Sequence, residues 1–503
     1  MSENLYDIMQ SHFPSSSSAP CLILPDGGEV SYGRLQQESA RYANLLVSLG
    51  VEPGDRVAVQ VRKSPQVLFL YLGCLRAAAV FLPLNDAYQR HEIEYFLSDA
   101  TPRLFVCRPQ IRPLALKLAA NAGVAHVLEL DDNGGGTLAD CAAKQPDYFA
   151  TIARTGDDLA AILYTSGTTG RSKGAMLSHR NLSSNASVLH RYWEFRPGDV
   201  LLHMLPIFHV HGLFVAIHCA LMNGSPMLFE PRFDAKRALA LLRKATVFMG
   251  VPTFYVRLLA EAGLTRQLCV NMRLFVSGSA PLLMETFSEF KLRTGHTILE
   301  RYGMTEGSMF TSNPYDGERR GGTVGFPLPG VSVRIADSEN QTKETGEIGQ
   351  IQVKGENIFL GYWMMPEKTR EEFTNDGFFK TGDMGSKDAD GYIRIVGRSK
   401  DLVITGGLNV YPIEIEERID AIPGVVETAV IGIPHPDFGE AVTAVVVRQK
   451  NEAGAALTAA RIIGTLKKQL ANFKVPKHVY FVEDLPRNTM GKVQKNVLRQ
   501  QYI

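Results

Sequence analysis

The chain has 503 residues, with 53 lysines and arginines against 52 aspartates and glutamates and a formal net charge of +1. That length exceeds one ordinary domain and calls for two or three, and the balanced charge excludes a basic field for nucleic acid and a polyacidic tail. The six cysteines (Cys21, Cys74, Cys107, Cys141, Cys219, Cys269) are scattered without paired spacing, which argues against zinc or a disulfide framework and suits a reducing, cytoplasmic setting.

The N-terminus carries Glu3 and Asp7 and has no apolar signal core. A serine run with two prolines over residues 11–20 reads as a loose segment. Arg56 to Val61 is predicted as a strand, Pro65 to Ala78 as a helix and Leu104 to Cys107 as a strand, an alternation that argues for α/β layering. Val67 to Leu84 is apolar enough to raise a membrane span. Arg76 interrupts it, and Gly73 and Pro83 break it, so a buried helix followed by a strand is expected instead. Asp131 to Gly136 (DDNGGG) is a turn, and no internal repeat is present.

Ala160 to Tyr164 (AAILY) reads as a short buried strand. Thr165, Ser166, Gly167, Thr168, Thr169 and Gly170 follow, then Lys173, then a helix expected from about Asn181. Glycines let backbone N–H groups converge on one anion, hydroxyls add donors and the lysine adds a charge. A bare loop of this composition is a polar surface turn. Lys173 in a strand–loop–helix context favours the phosphates of a nucleoside triphosphate. The loop is not a P-loop, because Ser172-Lys173-Gly174 stands where that motif has Gly-Lys-Ser/Thr.

Further along, each motif admits two readings. His209 in LPIFHVHG is a polar lid over a pocket or a satisfied core histidine, and no third ligand turns the His-x-His into a metal site. Val251 to Leu259 is predicted as a helix opened by Pro252, and by spacing alone its Arg257 is a solvated helix arginine. Arg273 to Leu282 (RLFVSGSAPL) is a strand and a small-residue turn, which either admits a planar base or carboxylate or is simply tight. Glu306 in ERYGMTE is an exposed acid or a Mg²⁺ ligand beside phosphates. Phe379 to Asp383 (FKTGD) reads as a turn whose acid can meet ribose hydroxyls. Arg398 to Asp401 is charged and lacks an apolar anchor, as a hinge requires. The expected division is therefore 1–397, a hinge at 398–401, and 402–503. Lys492 lies in a loop, where base rate makes it a solvated lysine.

Individually these motifs are weak; their joint order is specific. With LPIFHVHGLFVA, MGVPTFYVRLL, RLFVSGSAPLL, LERYGMTE, TSNPYDG, DLVITGGLNVYPIEIE and LPRNTMGKVQKNVLR, the chain resembles the AMP-forming acyl-CoA synthetases of the adenylate-forming superfamily. Within them it resembles the malonate-activating branch. The resemblance covers most of the chain from Tyr164 to Lys492. It implies a large layered α/β N-terminal domain and a small mobile α+β C-terminal domain. Gly307-Ser308 departs from the larger polar residues usual after the glutamate, a difference that bears on the acyl pocket.

The resemblance also implies roles. Thr165 to Gly170 and Lys173 would hold the phosphates of ATP. Ser277, Gly278, Ser279, Ala280, Glu300, Arg301, Tyr302 and Gly303 would flank the adenine and acyl groups, with His209 and Met304 beside the acid. Thr305 would touch the α-phosphate and Glu306 would hold Mg²⁺. Asp383 and Arg398 would bind ribose, and Lys400 would be the hinge. Gly406 and Gly407 would border the CoA tunnel, and Lys492 would be the catalytic lysine of adenylate formation. Acylation of Lys492 would remove its charge and offers a regulatory switch. Malonate is a dianion whose unreactive carboxylate needs a partner once desolvated, and the resemblance points to Arg257. Methylmalonate is a secondary candidate. A carrier-protein adenylation domain and a catalytically dead relative are the competing classes; intact Lys173, Glu306, Asp383 and Lys492 argue against the latter.

Overall fold

A computed structural model describes residues 2–165, 172–405, 408–437, 439–488 and 491–502. The chain forms two compact units, Met1–Ser332 with Lys354–Phe373, and Val333–Val353 with Thr374–Ile503.

The large unit holds two sheets. Five strands of one run parallel, in the order Leu159–Thr165, Val80–Pro83, Arg56–Gln60, Leu104–Cys107, His126–Glu129; Lys173–Ser178 and Gly361–Tyr362 extend it antiparallel. The other is nine-stranded. At its centre Met227–Phe229, Leu201–His203, Val247–Gly250, Leu274–Ser277 and Leu299–Met304 are all parallel. Strands buried on both faces need continuous apolar runs, and Val80–Pro83, Leu104–Cys107, Val247–Gly250 and Leu274–Ser277 are buried along their whole length.

The apolar stretch after Val67 is the expected buried helix, Pro65–Arg76, followed by the strand Val80–Pro83. Among the described residues no helix is long and apolar enough to cross a membrane. Arg76 fits inside because its guanidinium donates to the carbonyls of Gln36 (2.8 Å) and Phe149 (2.6 Å) and to Ser39 Oγ (2.9 Å). Gly73 is required by a close helix crossing: a Cβ there would lie 2.8 Å from Cβ of Tyr42 in the helix Tyr32–Ser48.

Two local expectations are corrected. The strand before the phosphate loop leads into a second, antiparallel strand, Lys173–Ser178, with Thr165 opposite Lys173. The helix His179–Tyr192 starts only beyond it, capped by Ser178, whose Oγ accepts the N–H of Asn181. Thr165 and Lys173 are thus paired ends of two antiparallel strands, and the helix N-terminus lies roughly 15–20 Å beyond Lys173 at the rise of an extended strand. Residues 166–171, among them Ser166, Gly167, Thr168, Thr169 and Gly170, lie outside the described residues. Second, Phe379 to Asp383 belongs to the nine-residue strand Phe379–Lys387 and is no turn. Gly382, at φ +72°, bends the strand without ending it.

The small unit has two sheets. Strands Ser332–Ala336, Gly349–Lys354, Phe379–Lys387 and Ile393–Arg398 form one. One 3-10 turn, Ser399–Asp401, follows, and then a five-stranded sheet centred on Val425–His435 and Gly439–Arg448. Period-2 alternation splits its apolar residues between faces. Val430, Val442, Ala444 and Val446 pack with Ile415, Ile419, Ile462 and Leu466 of the helices Pro412–Asp420 and Ala459–Leu466. Ala429, Ile431, Val445 and Val447 pack with Leu485 and with Leu498 of the helix Lys495–Tyr502. The architecture is a large α/β unit with a smaller α+β unit. The segment 398–401 lies within the small unit's contacts, between its two sheets.

Candidate active site

Four motifs far apart in sequence leave the nine-stranded sheet at one edge, because their strands are adjacent and parallel. In open parallel sheets the carboxyl edge is where ligands bind. Leu201–His203 leads to His209, Val247–Gly250 to the Arg257 helix, Leu274–Ser277 to Gly278 and Ser279, and Leu299–Met304 to Thr305 and Glu306.

The turn after Leu274–Ser277 is conformationally demanding. Ser279 sits at φ +71°, uncommon for a residue with a side chain. A Cβ on Gly278 would stand 2.4 Å from Nη1 of Arg301, so the glycine is what admits that guanidinium. Ser279 Oγ lies 3.4 Å from Nδ1 of His211. His211 is buried, and burial, then the charge of Arg301, hold its pKa well below the usual histidine range, so the ring is neutral. Among the described residues its Nε2 has no hydrogen-bond partner, nor do Ser277 Oγ and Nε and Nη2 of Arg301. Arg301 is 3% exposed, and burial draws its pKa down to about 9. A buried cation with unmet donors is costly. Arg257, in contrast, is exposed and makes no hydrogen bond or ion pair among the described residues.

Glu300 is buried too. Burial lifts its pKa to about 8, against the pull of hydrogen bonds from the backbone N–H groups of Gly322 and Leu282. Tyr302 is buried with its ring edge-on to Phe310, and Gly303 and Met304 pair with Met309 and Ser308 in the hairpin that carries Thr305.

Lys173 and Glu306 meet through a third residue. The Tyr362 hydroxyl donates to Oε1 of Glu306 at 3.0 Å, and the Lys173 ammonium stands 4.2 Å over the Tyr362 ring and 3.4 Å from Oε1 of Glu372. Mg²⁺ takes one or two carboxylates and completes its shell with phosphate oxygens and water. One buried carboxylate, linked through Tyr362 to the lysine expected to hold phosphate, fits that donor set.

Sequence reasoning missed Tyr362, His211 and the buried pair Lys63–His203. Lys63 donates to Nδ1 of His203 (2.6 Å) and to the carbonyls of His203 (2.9 Å) and Glu230 (2.6 Å). Nε2 of His203 donates to Gly212 O at 2.9 Å, bracing the π-helical turn His211–Ile217. The second histidine of HVHG was a signal for His211. Nothing local marks Lys63.

In the small unit Nε of Arg398 lies 2.8 Å from Oδ1 of Asp383, its partner across the ladder. Lys400 is beside Arg398, Lys492 and Arg499; burial, then these cations, lower its pKa to about 8. Gly406 and Gly407 lie outside the described residues.

Residues 12–363 match the model of the AMP-binding enzyme family, and residues 414–492 that of the AMP-binding enzyme C-terminal domain. The chain belongs to the AMP-binding enzyme family. It is 34% identical to a malonate–CoA ligase of Arabidopsis thaliana over 99% of this chain and 89% of the relative. It is 33% identical to a long-chain-fatty-acid–CoA ligase of Yersinia pestis over 95% and 91%. Among solved structures, ATP-bound MatB from Rhodopseudomonas palustris is 55% identical, superposes with a TM-score of 0.97 and covers 100% of this chain and 99% of its own. The architecture is that of the adenylate-forming enzymes, and the chain is an AMP-forming CoA ligase.

Proposed function

We propose that this protein joins malonate to coenzyme A through malonyl-AMP. A carboxylate is a poor acyl donor because its leaving group would be oxide. In the first half-reaction one carboxylate oxygen of malonate attacks the α-phosphorus of ATP and pyrophosphate leaves. In the second the CoA thiol attacks the acyl carbon, loses its proton, and AMP leaves.

Thr165, the loop through Gly170, and Lys173 hold the phosphates, and Thr305 meets the α-phosphate. Glu306 would hold Mg²⁺, which supplies charge against the phosphate oxygens. Ser277, Gly278, Ser279, Ala280, Glu300, Tyr302 and Gly303 flank the adenine, with His209 and Met304 beside the acid. Asp383 and Arg398 take the ribose. Lys492 opposes the charge that grows on the α-phosphate, where a preorganised cation is worth most. Lys400, within 398–401, is the pivot that lets 402–503 serve both steps, with Gly406 and Gly407 along the CoA path. The free cysteines support a cytoplasmic setting, and acylation of Lys492 is a candidate regulatory modification.

The observation that carries the choice of acid is Arg301. Its buried guanidinium lies against Gly278, has two nitrogens without partners among the described residues, and is close enough to the neutral His211 for its charge to act on that ring. The free carboxylate of a dicarboxylic acid supplies the missing acceptors; a fatty acyl chain does not. Arg257, expected in this role, is exposed at the same sheet edge, which suits it to guiding the dianion in. The test is CoA-dependent AMP release from ATP with malonate, methylmalonate, acetate and a long fatty acid. Malonate should exceed the monocarboxylates by orders of magnitude, with methylmalonate secondary. Equal rates with malonate and a fatty acid would refute the reading.

A further inference from the structure

Lys492 lies on a loop, yet its backbone is held from both sides. Arg487 and Val493 form a β-bridge around it. Asn488 Oδ1 accepts the N–H of Lys492 at 2.9 Å, and Asn488 N–H donates to Lys492 O at 2.9 Å. Five positions before the lysine, Arg487 pairs with the carboxylate of Glu427 and donates to Gly491 O at 2.6 Å. Three positions after it, the Lys495 ammonium lies 2.6 Å from Oε1 of Glu416, an oxygen that also accepts Val430 N–H at 2.7 Å. Glu427 is on the strand Val425–His435 and Glu416 on the helix Pro412–Asp420, both built into the small unit's core. Leu485 and Leu498 anchor the segment's two ends in that core.

The apolar anchors already tie the segment down, so the two ion pairs are not needed to attach it. Arg487 and Glu427 are partly exposed, at 26% and 21%, and a pair in that setting adds little stability; Lys495 and Glu416, at 18% and 11%, are more enclosed. What they add is direction. Arg487 is a fork, with one arm on a rigid carboxylate and the other on Gly491 O, next to Lys492. A displacement of about 1 Å in a group that acts at the transition state costs on the order of a hundredfold in rate.

We propose that Glu427, acting through Arg487, is a positioning residue for Lys492, and that Glu416 and Lys495 form the matching latch on the other side. This rests on Lys492 being the lysine of adenylate formation. Glu427→Gln leaves the arginine in place and weakens its orientation, so adenylate formation slows while the thioester step, which does not use Lys492, is untouched.

The experiment measures the two half-reactions separately. The first is read as ATP–pyrophosphate exchange, the second as malonyl-CoA formation from supplied malonyl-AMP. Glu427→Gln should lower kcat of the first by about ten- to a hundredfold, leave KM for ATP and malonate within about twofold, and leave the second unchanged. Glu427→Asp, which keeps the charge, should recover most of the loss. Arg487→Gln should reproduce the Glu427→Gln split and provides the measurement if that variant folds poorly. Glu483→Gln removes a fully solvated pair with Lys450 in the same unit and should change neither step. Equal loss in both half-reactions, or none in the first, overturns the proposal provided Lys492→Ala blocks the first step alone. If Lys492→Ala leaves the first step intact, the assignment of Lys492 and this proposal fall together.

Discussion

The hydroxyl of Tyr362 donates to Glu306 at 3.0 Å while its ring lies 4.2 Å beneath the Lys173 ammonium. One side chain therefore orients the carboxylate expected to hold Mg²⁺ and the lysine expected to hold phosphate. Tyr362 reaches them because the strand Gly361–Tyr362 pairs with Lys173–Ser178, the strand that Lys173 opens.

Tyr362→Phe keeps the ring under Lys173 and removes only the hydrogen bond to Glu306. Groups that orient a metal ligand are typically worth about ten- to a hundredfold in metal affinity or activity. The expected outcome is a Mg²⁺ requirement raised by about tenfold with KM for malonate little changed. A magnesium titration of AMP release checks it; an unchanged titration would detach Tyr362 from the metal site.

Arg301 and Arg257 should separate by substrate and by size of effect. Removing one partner of a desolvated charge pair costs about 3–5 kcal/mol, or roughly two to four decades in kcat/KM. Arg301→Met should lose that much with malonate and methylmalonate, and far less with propionate. Arg257→Leu removes an exposed charge and should cost malonate about tenfold or less. Steady-state kinetics on both variants decide. If Arg257→Leu proves the more damaging for malonate alone, the exposed arginine closes onto the substrate and is the principal partner.

Glu300 predicts a pH dependence of stability. Its folded pKa, raised by burial to about 8, stands above the ordinary 4.5. Between those values the unfolded chain has released the proton and the folded one keeps it. Stability therefore falls as pH rises through this window, and the penalty is complete above about pH 8. Glu300→Gln keeps an oxygen acceptor for Gly322 N–H, so its gain in Tm over the parent should grow from pH 5 to pH 8 and then level off. Parallel Tm profiles would mean that Glu300 is ionised throughout.

Lys400→Pro fixes φ at the expected pivot. It should impair one half-reaction at least tenfold more than the other, with Tm close to the parent. Comparable loss in both, with the fold intact, would move the pivot elsewhere.

The motifs around Thr165 and Lys173, Glu306 and Lys492 carried their expected roles only through their joint order and the family resemblance; taken singly, each fits a bland surface role as well. The helix Pro65–Arg76, the strands Arg56–Gln60 and Leu104–Cys107 and the helix Pro252–Leu259 were legible from apolar runs and a proline at the helix start. Two segments misled for local reasons. KGAMLS is poor in β-branched residues and became a strand through pairing with Leu159–Thr165, while the glycine of FKTGD suggests a turn that the ladder to Ile393–Arg398 overrides. Sheet pairing is a tertiary interaction, and local propensity does not contain it.

By itself the sequence determined the layered α/β plan and a smaller C-terminal unit through the alternation and texture of the chain, and the family through the joint order of motifs that resemble it. Only the tertiary structure decided which side chains share an environment. It set Tyr362 between Lys173 and Glu306, tied Arg487 to Glu427 across 60 positions, and buried Arg301 while leaving Arg257 exposed. The physical reason is that desolvation and hydrogen-bond satisfaction depend on what surrounds a group in space. Arginines at 257 and 301 are chemically identical in the sequence, and only burial, with two guanidinium nitrogens unpartnered among the described residues, sets one apart from the other.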